Sequence, residues 1–416
     1  MKRVNRIFAG LLATLMLAGC REDTAPASPY ADPFDVHLTY SVFGDTKPFS
    51  TPLELTLTNN SEQFEYTRTT DLWGKVRLDG LLPGEYSVSV TGRLTAAEVA
   101  EITGGPADAG WTLTGYASSV RLRTGAGNSL GTLTLASSES GAIVFKELYY
   151  AGSRTPSDGQ YRNDGFYSIH NNSKVPAPLN NIYIGVMEHY GGFNQAPPLW
   201  EGEEAGNYRN VYVKALWKIV ADDAEPVTLE AGATAVIAVM AAPHNKDAQY
   251  NLNSPVDLSG ADYEAYVIDP QNPYPDFPAP NMKMVFWPDY SYLWRISVFG
   301  RGMVLIEASA ADVAGFEQVV LPSTFWAGGE TEEYYTCLKV PNSFVIDAVD
   351  LIQNKTTSVT KLFPPSLDAG FATVEGTYVG KSVIRKVKSD EGGVVVYQDT
   401  NNSTADFEVN DAPLSK

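Results

Sequence analysis

Val36–Val42 reads Val-His-Leu-Thr-Tyr-Ser-Val and Leu53–Asn59 reads Leu-Glu-Leu-Thr-Leu-Thr-Asn, two runs in which apolar and polar side chains alternate. A period of two sends alternate side chains to opposite faces of an extended chain, so each run must be a strand with one buried face. Thr70–Gly92 repeats the pattern around two turns. Gly74 allows the first turn, Val76 and Leu78 alternate inward, the Gly80–Gly84 stretch turns through Pro83, and Tyr86, Val88 and Val90 resume the same face. With 26 prolines, 35 glycines and few apolar residues at helical spacing, the chain is expected to be mainly β, with two β-sandwich domains in tandem. Thr95–Gly105 is the exception: a helix is predicted there, ended by Gly104 and Gly105.

The 416 residues divide accordingly. Residues 1–19 are a signal segment, 20–33 a tether rich in Pro, Ala and acids, 34–138 an N-terminal β-sandwich, and 141–416 a second β domain with a large insertion. The formal charge of −19 becomes more negative once Lys2, Arg3 and Arg6 leave with the signal. Phosphate-backbone binding requires the opposite sign, which excludes nucleic acid as an expected partner.

Ile7–Leu17 is apolar, too short for a stable transmembrane helix, and preceded by those three basic residues. It ends in Leu17-Ala18-Gly19-Cys20, which resembles a bacterial lipobox. The resemblance implies that Cys20 is diacylated and becomes the first mature residue, and two acyl chains at about 0.8 kcal/mol per buried methylene suffice for stable anchoring. Arg21-Glu22-Asp23 resembles the acidic export signal of Bacteroidota lipoproteins shown on the outer leaflet of the outer membrane. Asp23-Thr24-Ala25 resembles an O-glycosylation motif of the same phylum, and a plain tether accounts for it equally. With Cys20 lipidated, Cys337 has no disulfide partner within the chain, and its apolar surroundings in Tyr-Tyr-Thr-Cys-Leu-Lys-Val mark it as a small core residue.

Thr70–Gly92 is similar to the prealbumin-like or carboxypeptidase-regulatory-like sandwiches that begin many bacterial surface proteins. Ile143, Phe145 and Leu148 with Glu147, followed by Phe166-Tyr167-Ser168-Ile169-His170-Asn171, resemble the opening of a lamin-tail-like sandwich, although Ser168 and His170 stand where that family often has glutamate. Ser382 and Arg385, then Asp399-Thr400-Asn401-Asn402-Ser403 with Asp406-Phe407, resemble its closing segments. With residues 251–264 as a third block, nearly the full length resembles an uncharacterised family of Bacteroidota lipoproteins, often encoded beside TonB-dependent outer-membrane receptors.

No nucleophile elbow, zinc-protease motif or phosphate-cradling loop is present. A hydrolase would have to rest on paired carboxylates in a deep cleft. His37, His170, His189 and His244 are far apart in sequence and are expected at the surface, Glu188-His189 making no local chelate because neighbours on a strand face opposite ways. Asp399, Asn401 and Asp406 offer oxygens suited to a structural calcium ion, and hydrogen bonds ordering the C-terminal turns explain them equally. Met282 and Met284 share a face, as in a copper(I) site or a core.

Aromatic residues concentrate in 272–296. Tyr290, Tyr292 and Trp294 share a strand face by spacing, with Trp287 nearby, while Trp200 centres a second long loop at 191–210. Such a stripe either fills the core or forms a platform for a sugar, catecholate or porphyrin. The expected function is therefore non-enzymatic: an outer-membrane surface lipoprotein that captures a nutrient or glycan ligand for a TonB-dependent receptor. The alternatives are a structural or adhesive surface lipoprotein, and a carboxylate-dependent hydrolase. No cofactor is expected beyond the calcium ion.

Overall fold

The computed structural model describes residues 29–416 except 41–42, 60–61, 63, 108–109, 126, 140–141, 174–175, 188–207, 222–224, 226, 269–273, 289–292, 323–333, 356–362, 392, 412 and 415–416. Cys20 and the acidic triplet after it therefore lie outside the described residues. Among the described residues no helix is long and apolar enough to cross a membrane.

Seven strands come first: β1 (Phe34–Tyr40), β2 (Glu54–Asn59), β3 (Glu65–Thr69), β4 (Lys75–Leu78), β5 (Gly84–Leu94), β6 (Trp111–Leu122) and β7 (Gly131–Glu139). They join in the order β3-β2-β5-β6-β7-β1-β4, antiparallel except for the parallel pair β1–β7. The predicted alternation holds. Val36 and Leu38 from β1, Leu55 and Leu57 from β2, and Tyr86, Val88 and Val90 from β5 share one buried cluster, so the sheet closes over its own apolar face as a sandwich. Gly74 is held at φ 71°, and a Cβ there would meet the Leu38 carbonyl oxygen, which is why the turn before β4 uses glycine. The predicted helix is α1 (Ala96–Thr103). Thr95 Oγ1 accepts from the Glu98 amide, the Thr95 amide donates to Glu98 Oε2 at 2.7 Å, and Gly104 ends the helix in the left-handed region.

The second half begins with β8 (Ile143–Tyr149), β9 (Ser153–Arg154), β10 (Gln160–Tyr161), β11 (Phe166–Asn171), β12 (Ala177–Pro178), β13 (Ile182–Met187) and β14 (Asn210–Lys218). β15 (Thr228–Leu229), β16 (Thr234–Ala238), β17 (Tyr263–Glu264), β18 (Lys283–Phe286), β19 (Gly302–Glu307), the short helix α2 (Ala310–Ala314), β20 (Glu317–Pro322), β21 (Tyr334–Pro341) and β22 (Val345–Asp350) follow. The chain closes with β23 (Ser382–Arg385), β24 (Val387–Glu391), β25 (Val394–Tyr397), α3 (Ser403–Asp406) and β26 (Phe407–Asn410).

Two large sheets result, β17-β16-β11-β8-β23-β26 and β20-β21-β14-β13-β19-β22, with β18 added on β14. The opening strand β8 and the closing strands β23 and β26 are neighbours in the first. Phe145, Ile169 and Ile237 of that sheet pack against Ile184, Trp217 and Leu305 of the other, forming one core between them. Both outer faces are covered as well, the first around Phe166 and Val256, the second around Ile306 and Val313 of α2. Burial on both faces explains why every residue of β11 and β13 is buried, and why Ile182–Met187 reads as an apolar run and not as an alternation. Ile143, Phe145 and Leu148 break the period of two yet share the core, because Ser168 pairs with Glu147 while Ile169 pairs with Phe145, leaving Lys146 as the extra residue of a bulge. Cys337 is fully buried beside Tyr208 and Tyr212.

Candidate functional site

Of the aromatic residues marked by the sequence, Trp200, Tyr290 and Tyr292 lie outside the described residues, while Trp287 and Trp294 lie within them. Trp294 does not stand on an exposed strand face. Residues 293–297 form no strand beyond a bridge from Leu293 to Tyr266, and Trp294 is only 2% exposed. Its ring stacks on Trp217 at 5.3 Å and meets the edge of Tyr167 at 5.4 Å, so its large apolar area is spent on the core. Trp287 is half-buried, 6.3 Å from Trp217.

The two tryptophans nevertheless wall a hollow of about 220 Å³, whose apolar lining continues through Val186, Ala215 and Ile296. The same hollow is lined by four cations, Arg162, Lys214, Arg295 and Arg301, and by Ser297. Arg162 and Arg295 also line an adjoining hollow of about 330 Å³ with Gln160, Tyr161, Asn163 and Tyr378. The two therefore form one groove divided by a pair of arginines. Arg295 Nη1 donates to Asn163 Oδ1 at 3.1 Å and Arg301 Nη1 to the Met187 carbonyl at 3.2 Å, which orients both guanidinium groups. Among the described residues no aspartate or glutamate lines either hollow, so no carboxylate pair for hydrolysis is found there. The sequence marked Trp287 and Trp294 but none of the four cations: Arg162 and Lys214 reach the tryptophans only through the fold, while Arg295 directly follows Trp294.

Asp399, Asn401 and Asp406 do not converge on a metal. The cation between the two aspartates is Arg385, whose Nη1 lies 3.3 Å from Asp399 Oδ1 and from Asp406 Oδ2, while its Nη2 is 2.6 Å from Asp347 Oδ1. Its Nε donates to the Phe145 carbonyl and its guanidinium lies 4.7 Å above the Phe407 ring. Asn401 adopts φ 51° and turns its amide to the Ser366 carbonyl at 2.8 Å. Among the described residues no group of three or more His, Cys, Asp or Glu is placed to hold a metal ion. Burial, opposed by Arg385, pushes the Asp347 and Asp406 carboxyls above the usual range. Asp347 was legible only as an acid inside the apolar run Val345-Ile346-Asp347-Ala348-Val349. Glu147, marked at the end of β8, is likewise buried and accepts from Ser382 Oγ and from Asn410 Nδ2 at 2.8 Å, tying the first strand to the last.

Met282 and Met284 separate, the first buried in the core and the second exposed, so they offer no thioether pair. His170 and His244 are not at the surface. His170 bonds Thr234 Oγ1 at 2.9 Å and the Val395 carbonyl at 2.8 Å. His244 lies behind the groove, its Nε2–H donating to the Met240 carbonyl at 3.0 Å, which leaves Nδ1 to accept from the Tyr161 hydroxyl at 2.8 Å. Burial lowers both imidazoles, His244 to about 4. Because the unfolded chain takes up that proton near pH 6.5 and the folded one only near pH 4, stability falls as pH drops through this window. Chemical denaturation at pH 7 and pH 4.5 is expected to differ by roughly 2–3 kcal/mol more in the native protein than in His244→Gln. Equal slopes in the two proteins would show that His244 titrates alike in the folded and the unfolded chain.

Residues 230–414 match the family model described as "Protein of unknown function (DUF4876)". No curated protein sequence matches the chain. Among solved structures, a "putative adhesin" of Bacteroides ovatus shares 10% identity over 88% of this chain and 99% of its own, with a TM-score of 0.18, too low to carry an argument. The crystal structure of a DUF4876 family protein from Bacteroides thetaiotaomicron shares 27% identity, with 92% of this chain and 96% of that one covered and a TM-score of 0.58; the present chain is similar to it in sequence and fold over nearly its whole length.

Proposed function

We propose that the protein is a non-enzymatic capture protein, lipid-anchored through Cys20 on the outer face of the outer membrane, that binds a nutrient or glycan ligand and hands it to a TonB-dependent receptor. The observation that carries ligand capture is the groove, where a half-buried tryptophan and a tyrosine-lined outer hollow flank a pair of oriented arginines. A concave, largely preformed site with apolar walls and a few fixed polar groups is the usual form of a small-molecule site. The lipobox-like Leu17–Cys20 supports the anchor, and the acids after it support outward display. Delivery to a receptor rests on the likeness to Bacteroidota lipoproteins and on the purpose of a capture site held beside a pore.

The test is made in membranes. The native protein is expected in the outer-membrane fraction, to be cleaved by externally added protease, and to co-purify with a barrel receptor after mild cross-linking. Cys20→Ala should release it from the membrane. A soluble native protein with an unacylated Cys20 would refute the anchor, and recovery of no barrel protein from intact membranes would refute the delivery role.

A further inference from the structure

We infer that the outer hollow takes a neutral saccharide, a mono- or disaccharide recognised through its hydroxyl groups; this rests on the capture reading and specifies its ligand class. The chemistry of the lining carries the inference. All six lining side chains end in a planar group with hydrogen-bonding atoms: the amides of Gln160 and Asn163, the guanidinium groups of Arg162 and Arg295, and the phenols of Tyr161 and Tyr378. Among the described residues of that lining none is aliphatic and none is acidic. A porphyrin or another flat apolar body would strip water from these amides and guanidinium groups and return no hydrogen bonds to them. A sugar replaces that water in kind, because each hydroxyl both donates and accepts, and neighbouring hydroxyls present paired atoms to a planar amide or guanidinium. Its C–H face meets the two tyrosine rings. Charge is not the selecting feature. Arg295 already donates to Asn163, and Arg154, 5.5 Å from the Tyr378 ring, is paired with Asp158.

The walls are set before a ligand arrives, which lowers the entropy lost on binding. Tyr161 lies on β10, and its hydroxyl is held by His244 Nδ1 at 2.8 Å. Asn163 Oδ1 accepts from Arg295 at 3.1 Å, which fixes the amide plane. Among the described residues Asn163 Nδ2, the Gln160 amide and the Tyr378 hydroxyl have no hydrogen-bond partner in the protein, and these groups remain for a ligand. Gly152 joins the two tyrosine walls. It is held at φ 70°, its carbonyl accepts from the Gly380 amide at 2.9 Å, and a Cβ there would meet the Tyr161 carbonyl oxygen and the Tyr378 ring. Tyr378 in turn is held at φ 55°, with its amide on the Ala151 carbonyl at 2.6 Å. A tyrosine kept in the left-handed region is a strained backbone position of the kind concentrated at ligand sites, whereas glycine would be relaxed there. The hollow of about 330 Å³ suits a mono- or disaccharide and not a folded partner.

The probe is a microarray of neutral, uronate-bearing and sulfated oligosaccharides, read with fluorescently labelled full-length anchored protein in detergent, each hit then being titrated by calorimetry. Neutral saccharides are expected to bind, with nearly the same affinity at low and high salt because no ion pair forms with the ligand. Gln160→Ala should weaken them by about three- to tenfold, the loss of one hydrogen bond. Tyr378→Gly should lose about tenfold or more while melting near the native temperature, since it relieves the strained position; a tyrosine kept only for the fold would not separate the two readouts. Arg77→Gln, which removes an exposed cation of the N-terminal sheet paired with Asp35, should leave binding unchanged. If only uronate-bearing or sulfated saccharides bind, and added salt weakens them, the neutral assignment is overturned while capture in the groove stands. The same follows if Trp287→Leu abolishes binding and Gln160→Ala does not, which places the ligand in the inner hollow. If no saccharide binds but a barrel receptor still co-purifies, the saccharide assignment falls alone; if neither is found, the capture reading falls with it.

Discussion

Replacing Arg385 by methionine is expected to be the most damaging single change in the chain, costing about 3–5 kcal/mol and leaving little folded protein at neutral pH. The guanidinium is buried between Asp347, Asp399 and Asp406, which are themselves buried, and it also serves the carbonyls of Phe145 and Gln398. Methionine fills similar volume but leaves three carboxylates in the interior with no cation. Lysine is not a substitute, since one ammonium with three donors cannot serve five acceptors held in the plane of an arginine fork. Two further measurements identify the cause. Asp347 and Asp406 already titrate above the ordinary carboxylate range because they are buried, and removing Arg385 raises them further. Groups raised in this way favour the folded state below their unfolded pKa and lose that contribution as pH rises through the folded one. The deficit of Arg385→Met should therefore shrink toward pH 4–5. Adding Asp347→Asn and Asp406→Asn should recover much of the loss at pH 7. A denaturation midpoint for Arg385→Met equal to that of the native protein at pH 7 would contradict this account.

The second large effect is expected at Trp217, the side chain around which the C-terminal core is assembled. It is fully buried on β14, stacked against Trp294 and near Trp287, with core residues of both sheets around it. Trp217→Ala should cost about 3–5 kcal/mol, through lost transfer energy and the cavity left behind. Trp217→Phe should cost far less than its change in volume suggests. Among the described residues the buried indole N–H has no hydrogen-bond partner, an arrangement that carries a penalty of about 1–3 kcal/mol, and phenylalanine removes it. Urea denaturation of the two variants distinguishes these terms, and equal losses would show that the N–H is satisfied.

Much of the mainly β architecture was legible because its signals are short in range. The alternation at 53–59 needed only the period of a strand with one dry face, and the helix after Thr95 needed only a capping threonine with Glu98 three residues on. The same rules placed the turn at Gly74. Where burial is two-sided, as in β13, an apolar run has no period to read. At Trp294 the core reading of the aromatic stripe holds, since the ring is buried, but the strand that the spacing implied is not formed over residues 293–297. Buried polar groups escaped for a related reason. His244 and Asp164 are surrounded by partners from distant segments, including Tyr161, Ser153 and Ser254, that no local window contains.

By itself, then, the sequence determined that the chain is mainly β, where several early strands, their turns and the first helix fall, and that the chain carries a formal charge of −19. Those properties follow from residues one to four positions apart, or from simple sums of charge. Only the tertiary structure decided that Asp399 and Asp406 enclose an arginine and not a metal ion, and that Arg162, Lys214, Arg295 and Arg301 meet around two tryptophans. Charges as far apart in the chain as Arg162 and Arg301 become neighbours through sheet register and the stacking of two sheets, and neither leaves a periodic trace along the chain.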